Sequence, residues 1–363
     1  MSKPETKRLP ALQILRAIAA LAVVGHHILD QLWGNLGVAS LAQSLDLGAR
    51  GVGLFFVLSG FILWQVHHHE AGQRAALGRF AYKRVSRILP FTLIAATAWV
   101  GIVAVAGRFG ADASGGGFTS WLSSAFLLPL EKPYPGVLWS LRHEALFYLV
   151  FLVLFLSPRG FAWLFGGWML ASALVPAGVP SPMRHAPDIL WVTAFSSANL
   201  LFLLGILAAI AHQKLPAFRI GGRGTVLAFA GVAVMALWAG QGKYDLGTVA
   251  GFGTACAVLT LVAARSTFRL RWLEYCGDAS FSIYLAHHLA LPLVYVGLTR
   301  WTTDAGLIFV AEAVLLVGVG LLGYRWIETP VLSWLNTRAP VRARLRPSAW
   351  TDARPTYQGD ARR

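Results

Sequence analysis

Residues 11–29 read ALQILRAIAALAVVGHHIL, an apolar run interrupted by Arg16 and by the pair His26 and His27. Such a run is long enough to cross a bilayer as a helix. Ionisable groups at bilayer depth are costly enough to mark functional candidates. Arg16 and His27 are eleven residues apart, so at about 100° per residue they fall within roughly 20° of one helix face, about 16 Å apart along the axis. His26 points about 80° away from that line. One face therefore carries a fixed cation near a membrane surface and a titratable base well inside.

Working outward, the composition places the whole chain in the membrane class: 56% of residues are hydrophobic and 13% charged, against about 25% charged in soluble domains. The expected fold class is all-α, a polytopic helix bundle. Runs of roughly 17 to 25 apolar residues fall near 11–30, 50–66, 88–107, 138–157, 162–178, 190–210, 224–240, 247–265, 281–298 and 306–326. That predicts about ten transmembrane helices. Placing the amino terminus in the cytoplasm puts most of the 31 basic residues on one side, as the excess of Lys and Arg in cytoplasmic loops requires. Only Arg50, Arg108, Lys132, Arg142, Arg184, Lys243 and Arg300 then lie on or toward the other side. An even number of spans with both termini cytoplasmic satisfies this asymmetry.

The formal charge of +15 is dispersed among short loops, which argues against nucleic acid as a partner and for the lipid bilayer. A cleaved signal peptide is disfavoured, because Ser40-Leu41-Ala42 lies far beyond the first apolar run and that run contains Arg16. Two cysteines, Cys256 and Cys276, give no disulfide framework. Residues 1–335 are expected to form one transmembrane domain, and 336–363 a basic tail that is disordered or rests on anionic lipid. No signal of oligomeric state is read.

Three constellations carry chemistry. The stretch RFAYKRVSRILPF, read as the loop before the third span, sets Lys83, Arg84 and Arg87 at a cytoplasmic mouth. Membrane anchoring explains it, and so does a phosphate site that Arg16 approaches from the first helix, since Arg presents a fork of donors matched to phosphate oxygens. In WSLRHEALFY, Ser140, Glu144 and Tyr148 recur every four residues along one face. Glu144 is expected to orient His27 and raise its basicity, the alternative being a structural pair with Arg142 or His143. In GDASFSIYLAHHL, Ser280, Tyr284 and His287 share a side of the ninth span while His288 is turned away. Glu328, in YRWIETP, is expected to pair with a cytoplasmic Arg. His67-His68-His69-Glu70 lacks the spaced partners of a metal site, and no metal is expected. GGRG at 221–224 lacks the Lys and Ser or Thr of a phosphate loop.

Taken in order, these segments resemble the acyltransferase 3 family of integral membrane acyltransferases. The resemblance covers roughly Leu9 to Leu335. It rests on Arg16 with His27, on GVGLFFVLSGF at 51–61, on 84–90, and on WSLRHEALFY, SFSIYLAH and IETP. Gly53 departs from the pattern, standing where many members have an acidic or polar residue. The resemblance implies a bundle of about ten helices with a cavity open to the cytoplasm, in a bacterial inner membrane. It also implies transfer of an acyl group, commonly acetyl from acetyl-coenzyme A, to a hydroxyl of a carbohydrate such as exopolysaccharide, O-antigen or a lipid-linked precursor. Some relatives append an esterase-like domain, for which this chain has no room, so transfer alone is expected.

On this reading no cofactor is permanently bound, and acyl-coenzyme A is the donor substrate. Its phosphates are expected on Arg16, Arg84 and Arg87, with Ser140, Tyr148, Tyr284 and His287 contacting substrate. His27 and Glu144 are the catalytic candidates. His27 either removes the acceptor proton or carries the acyl group itself. The alternative class is a transporter or flippase using the intramembrane Arg, His and Glu as substrate or proton sites.

Overall fold

The computed structural model describes residues 9–37, 47–107, 115–175, 186–216, 218–238 and 246–338. Of the expected tail, 336–363, residues 336–338 end the last helix and 339–363 lie outside the described residues, as do Arg108, Arg184 and Lys243. The described residues hold these α-helices in order: α1 Pro10–Leu36, α2 Leu47–His67, α3 Arg74–Gly107, α4 Phe118–Ala125, α5 Leu138–Leu156, α6 Pro158–Leu174, α7 Ala186–Phe195, α8 Leu200–Lys214, α9 Gly222–Trp238, α10 Leu246–Arg265, α11 Arg271–Asp278, α12 Ser280–Leu298, α13 Ala305–Gly323 and α14 Thr329–Arg338. Among the described residues, eight helical stretches are long and apolar enough to cross a membrane. The two remaining expected segments are α6 and α9, helices of 17 residues each.

The first apolar run is the central helix. Pro10 opens α1, where a missing N–H costs nothing. Gly37, at φ 67°, closes it by donating its N–H to the Trp33 carbonyl at 3.0 Å. Ala11, Leu12, Leu15, Ala19 and Val23 of α1 join one apolar cluster, and Ala17, Ala20, Val24, Ile28 and Leu32 join a second. A helix buried on two sides in this way sets the register for its neighbours.

Helices α2 and α8 cross at backbone contact. A Cβ on Gly60 would lie 2.2 Å from the Phe202 carbonyl oxygen, and one on Gly205 would lie 2.1 Å from that of Val57. Small residues permit this approach in a membrane interior, where dispersion rather than water exclusion holds helices together. The crossing brings Phe202 into a stack with Phe56 and Phe147, at centroid separations of 4.6 and 4.3 Å. Gly53 packs on the same bundle: a Cβ there would be 2.8 Å from the Phe252 ring. A larger polar side chain at this position needs Phe252 to move.

Three features differ from the sequence expectation. The stretch read as a loop before the third span is helical from Arg74, because Arg, Ala, Leu and Lys are all good helix formers. Arg84 and Arg87 thus stand three residues apart on one face of α3. The expected span near 190–210 is broken by a short 3₁₀ turn at Ser197–Asn199. The Asn199 amide nitrogen donates to the carbonyls of Thr193 and Ala194, both at 3.1 Å, which the end of α7 leaves open. Finally, a wide π turn at Tyr324–Glu328 joins α13 to α14 and turns Glu328 fully inward.

Candidate active site

Helices α1 and α3 both pack on α12 and run in its direction. Gln13 of α1 lies against Gly277, just before α12, while His27 meets His287 further along. On α3, Arg87 meets Phe281 and Trp99 meets His288. The same three helices therefore carry arginines at one level and imidazoles at another, about 16 Å apart along α1.

At the arginine level Arg87 is among the charges around Arg16, and Arg84 stands one turn from Arg87 on α3. Arg87 is committed: its Nη1 donates to Glu328 Oε1 at 2.6 Å, and Ser282 Oγ donates to Glu328 Oε2 at 2.5 Å. The expected pairing of Glu328 with an Arg thus falls on one of the phosphate candidates. Arg84 lies over the rings of Phe80 and Tyr148, 5.3 Å from each centroid, and its buried Nε has no partner. Arg16 reaches the Gln13 side chain at 3.4 Å, with Arg87, Asp278, Glu328 and Glu144 as the charges around it. Neither Arg16 nor Arg84 has a carboxylate partner within salt-bridge distance among the described residues.

Between the levels sits Glu144, and here the sequence expectation is corrected. Its Oε1 accepts from Ser59 Oγ at 2.9 Å and from the Tyr148 hydroxyl at 2.5 Å, and no hydrogen bond joins it to His27. The one-turn spacing of Glu144 and Tyr148 on α5 supplies a donor before α1 can. Glu144 therefore belongs with Arg84 and Arg16. The structural alternatives also fail: Arg142 donates to Ser123 Oγ at 2.8 Å and to the Glu131 carbonyl at 2.7 Å, and His143 donates to Asn199 Oδ1 at 2.9 Å. Ser140 and Tyr284 meet at 2.7 Å, and the Tyr284 hydroxyl donates to the Val137 carbonyl at 2.9 Å, tying α12 to the start of α5.

At the imidazole level His27 has His287 for a neighbour. His27 Nδ1 lies 2.9 Å from the Val23 carbonyl and 3.3 Å from His287 Nε2. His287 Nδ1 lies 3.0 Å from the Ile283 carbonyl. A carbonyl only accepts, so both Nδ1 atoms carry hydrogen in the neutral rings. The His27 Nδ1–H then has Val23 O and His287 Nε2 as acceptors, leaving His27 Nε2 with a free lone pair. His288 is the second correction. Rather than turning away, its ring stands 5.2 Å from that of His27, as close as His287 at 5.1 Å.

Sequence reasoning missed Ser59 and His288. A signal existed for each: Ser59 lies in the quoted LSGF stretch, and His288 adjoins a named residue. Among the described residues no group of three or more His, Cys, Asp or Glu side chains has the geometry to hold a metal ion. In the HHHE stretch His67 donates to Glu70 at 2.8 Å, and Glu70 is paired with Arg79, so its polar atoms serve each other.

A family model described as an acyltransferase domain matches residues 9–325. Acyltransferase MdmB of Streptomyces mycarofaciens is 28% identical over 380 residues, covering 93% of this chain and 95% of that protein. Exopolysaccharide production protein ExoZ of Rhizobium meliloti is 29% identical over 312 residues, covering 79% and 90%. Peptidoglycan O-acetyltransferase OatA of Listeria monocytogenes is 24% identical over 368 residues, covering 90% of this chain and 56% of that protein. No solved structure matches.

Proposed function

The chain belongs to the acyltransferase 3 family of multi-pass membrane acyltransferases, and from that membership we propose that it moves acetyl from acetyl-coenzyme A onto a hydroxyl of a carbohydrate. The observation that carries this reading is the free Nε2 of His27, fixed by partners on Nδ1 alone and set about 16 Å along α1 from Arg16.

The donor enters at the arginine level. Arg16 and Arg84, lacking carboxylate partners, hold its phosphates, while Arg87 contributes charge already shared with Glu328. The pantetheine arm spans the interval to the imidazoles. His27 Nε2 takes the proton of the acceptor hydroxyl as its oxygen attacks the thioester carbonyl. The C–S bond breaks, and the departing thiolate receives that proton, so the imidazole ends neutral. Base catalysis of this kind contributes typically 10²- to 10⁴-fold. His287 Nε2 accepts from His27 Nδ1–H throughout, which keeps the ring in the productive tautomer. Direct transfer needs no acyl-enzyme, and rapid-quench labelling before acceptor is added distinguishes the two routes.

The names of two relatives support the acceptor class, one an exopolysaccharide production protein and one a peptidoglycan O-acetyltransferase. The reading is tested with purified protein, radiolabelled acetyl-coenzyme A and surface polysaccharide as acceptor. Wild type labels the polysaccharide and His27→Ala does not. Full activity in His27→Ala overturns the assignment, as does unchanged acyl mass on the polysaccharide of cells lacking the protein.

A further inference from the structure

Among the described residues, four buried polar atoms without partners lie around His27, and none takes part in the chemistry above. They are His26 Nδ1, one end of the Gln31 side-chain amide, Trp99 Nε1 and His288 Nδ1. The His26 ring is 5.4 Å from that of His27 and the His288 ring 5.2 Å. Trp99 packs on His288 at 5.9 Å and stacks on Tyr134 at 5.8 Å. Gln31 is one turn beyond His27 on the same face of α1, about 6 Å further along.

Native interiors leave few such atoms unpaired, because each costs about as much as a lost hydrogen bond. Here three helices supply them around one catalytic candidate. From this arrangement we propose that Trp99, His288, His26 and Gln31 form the acceptor subsite, and that its ligand is a neutral pyranose ring. The inference rests on the function proposed above and names the part of that site that selects the acceptor.

The ligand class follows from the chemistry of the four atoms. The indole nitrogen only donates, the Gln31 amide oxygen only accepts, and each imidazole nitrogen does one or the other. Their complement is a small rigid body with donors and acceptors at several neighbouring positions. A simple alcohol whose O–H faces His27 Nε2 has only its lone pairs left for the four and no donor for those that accept. An anion is opposed by Asp30, whose carboxylate lies 3.1 Å from His26 Nε2. A sugar with adjacent hydroxyls answers several at once and brings one hydroxyl to His27 Nε2, while its C–H surface lies against the half-buried Trp99 and Tyr134 rings.

The test measures binding without acyl transfer. Full-length protein in lipid nanodiscs is examined by saturation-transfer NMR with the methyl glycosides of glucose, galactose, mannose and N-acetylglucosamine, and with cyclohexanol as the single-hydroxyl control. Saturation is expected on the ring protons of at least one glycoside and not on cyclohexanol. Trp99→Phe and His288→Phe keep an aromatic ring while removing the nitrogens, and each is expected to raise the half-saturating concentration five-fold or more. Trp163→Phe, an exposed ring on α6, leaves it unchanged. Absence of saturation with all four glycosides overturns the proposal, and so does equal affinity in wild type and both ring variants. Glycoside binding by a His27→Ala protein that still transfers acyl groups leaves the subsite standing and removes only the catalytic role.

Discussion

His287 Nε2 lies 3.3 Å from His27 Nδ1, and both rings are anchored through Nδ1 to the carbonyl one turn earlier on their own helices. The two anchors decide which nitrogen of His27 is left basic. A second imidazole thereby takes the orienting role that a carboxylate often fills beside a catalytic histidine.

In the proposed mechanism His287 acts on the reaction through His27. His287→Phe removes the acceptor and keeps the ring volume, and it is expected to lower kcat about 10- to 100-fold, a typical range for general acid–base contributions and their support, with donor KM unchanged. His287→Gln, which restores an acceptor, recovers part of the loss. Steady-state kinetics of both variants checks this. A KM effect with kcat intact would make His287 a binding residue instead.

The Arg87–Glu328 pair separates structure from donor binding. Glu328 is fully buried and Arg87 partly exposed. Removing one member strands the other, at about 3–5 kcal/mol for a buried pair. Glu328→Gln and Arg87→Met are therefore each expected to lower the melting temperature sharply. The double variant Arg87→Met with Glu328→Leu regains most of that stability, since apolar replacement of a buried pair is often neutral or better. It still shows a raised KM for acetyl-coenzyme A, because one of three cations is gone. Recovery of the donor KM along with stability would show that Arg87 serves the fold alone.

These pairings mark the boundary of what the sequence disclosed. Apolar run length located the helices, because it depends on residues a few positions apart. The 11-residue offset of Arg16 and His27 survives in the structure for the same reason. What failed were contacts between helices. Glu144 was matched to His27 by depth, and the structure gives it Ser59 from α2, a helix with no ionisable marker beside that serine. On a helical wheel of α12 alone His288 points away from His287. The wheel omits α1, whose His27 ring stands near both histidines.

Glu144 tests whether charge or shape matters at the middle level. Both of its partners donate, so Glu144→Gln keeps an oxygen for Ser59 and Tyr148 while removing the negative charge near Arg16 and Arg84. Melting is expected to change little and acyl transfer to fall at least about ten-fold, the equivalent of about 1.4 kcal/mol in the barrier. Unchanged activity with unchanged melting would assign Glu144 to packing alone. Ser59→Ala, which removes one donor only, is expected to fall between the variant and wild type.

Glu312 presents the opposite case, a carboxyl that no observed contact uses. It is fully buried on α13 with neither oxygen hydrogen-bonded among the described residues, and Ile308 and Leu316, one turn to either side, are equally buried. Gly320 on the same helix packs on Ile283, and eight residues of helix place Glu312 about 12 Å from that contact, beyond the level of His287. An unpaired buried polar group is destabilising by about 1–3 kcal/mol, and an apolar side chain of similar size removes that penalty. Glu312→Leu is thus expected to melt several degrees higher and to retain acyl transfer. Glu312→Gln, which keeps the polar atoms, gains nothing. A leucine variant that melts lower would mean the carboxyl has a partner in the membrane, while one that melts higher but loses transfer would place Glu312 in the reaction after all.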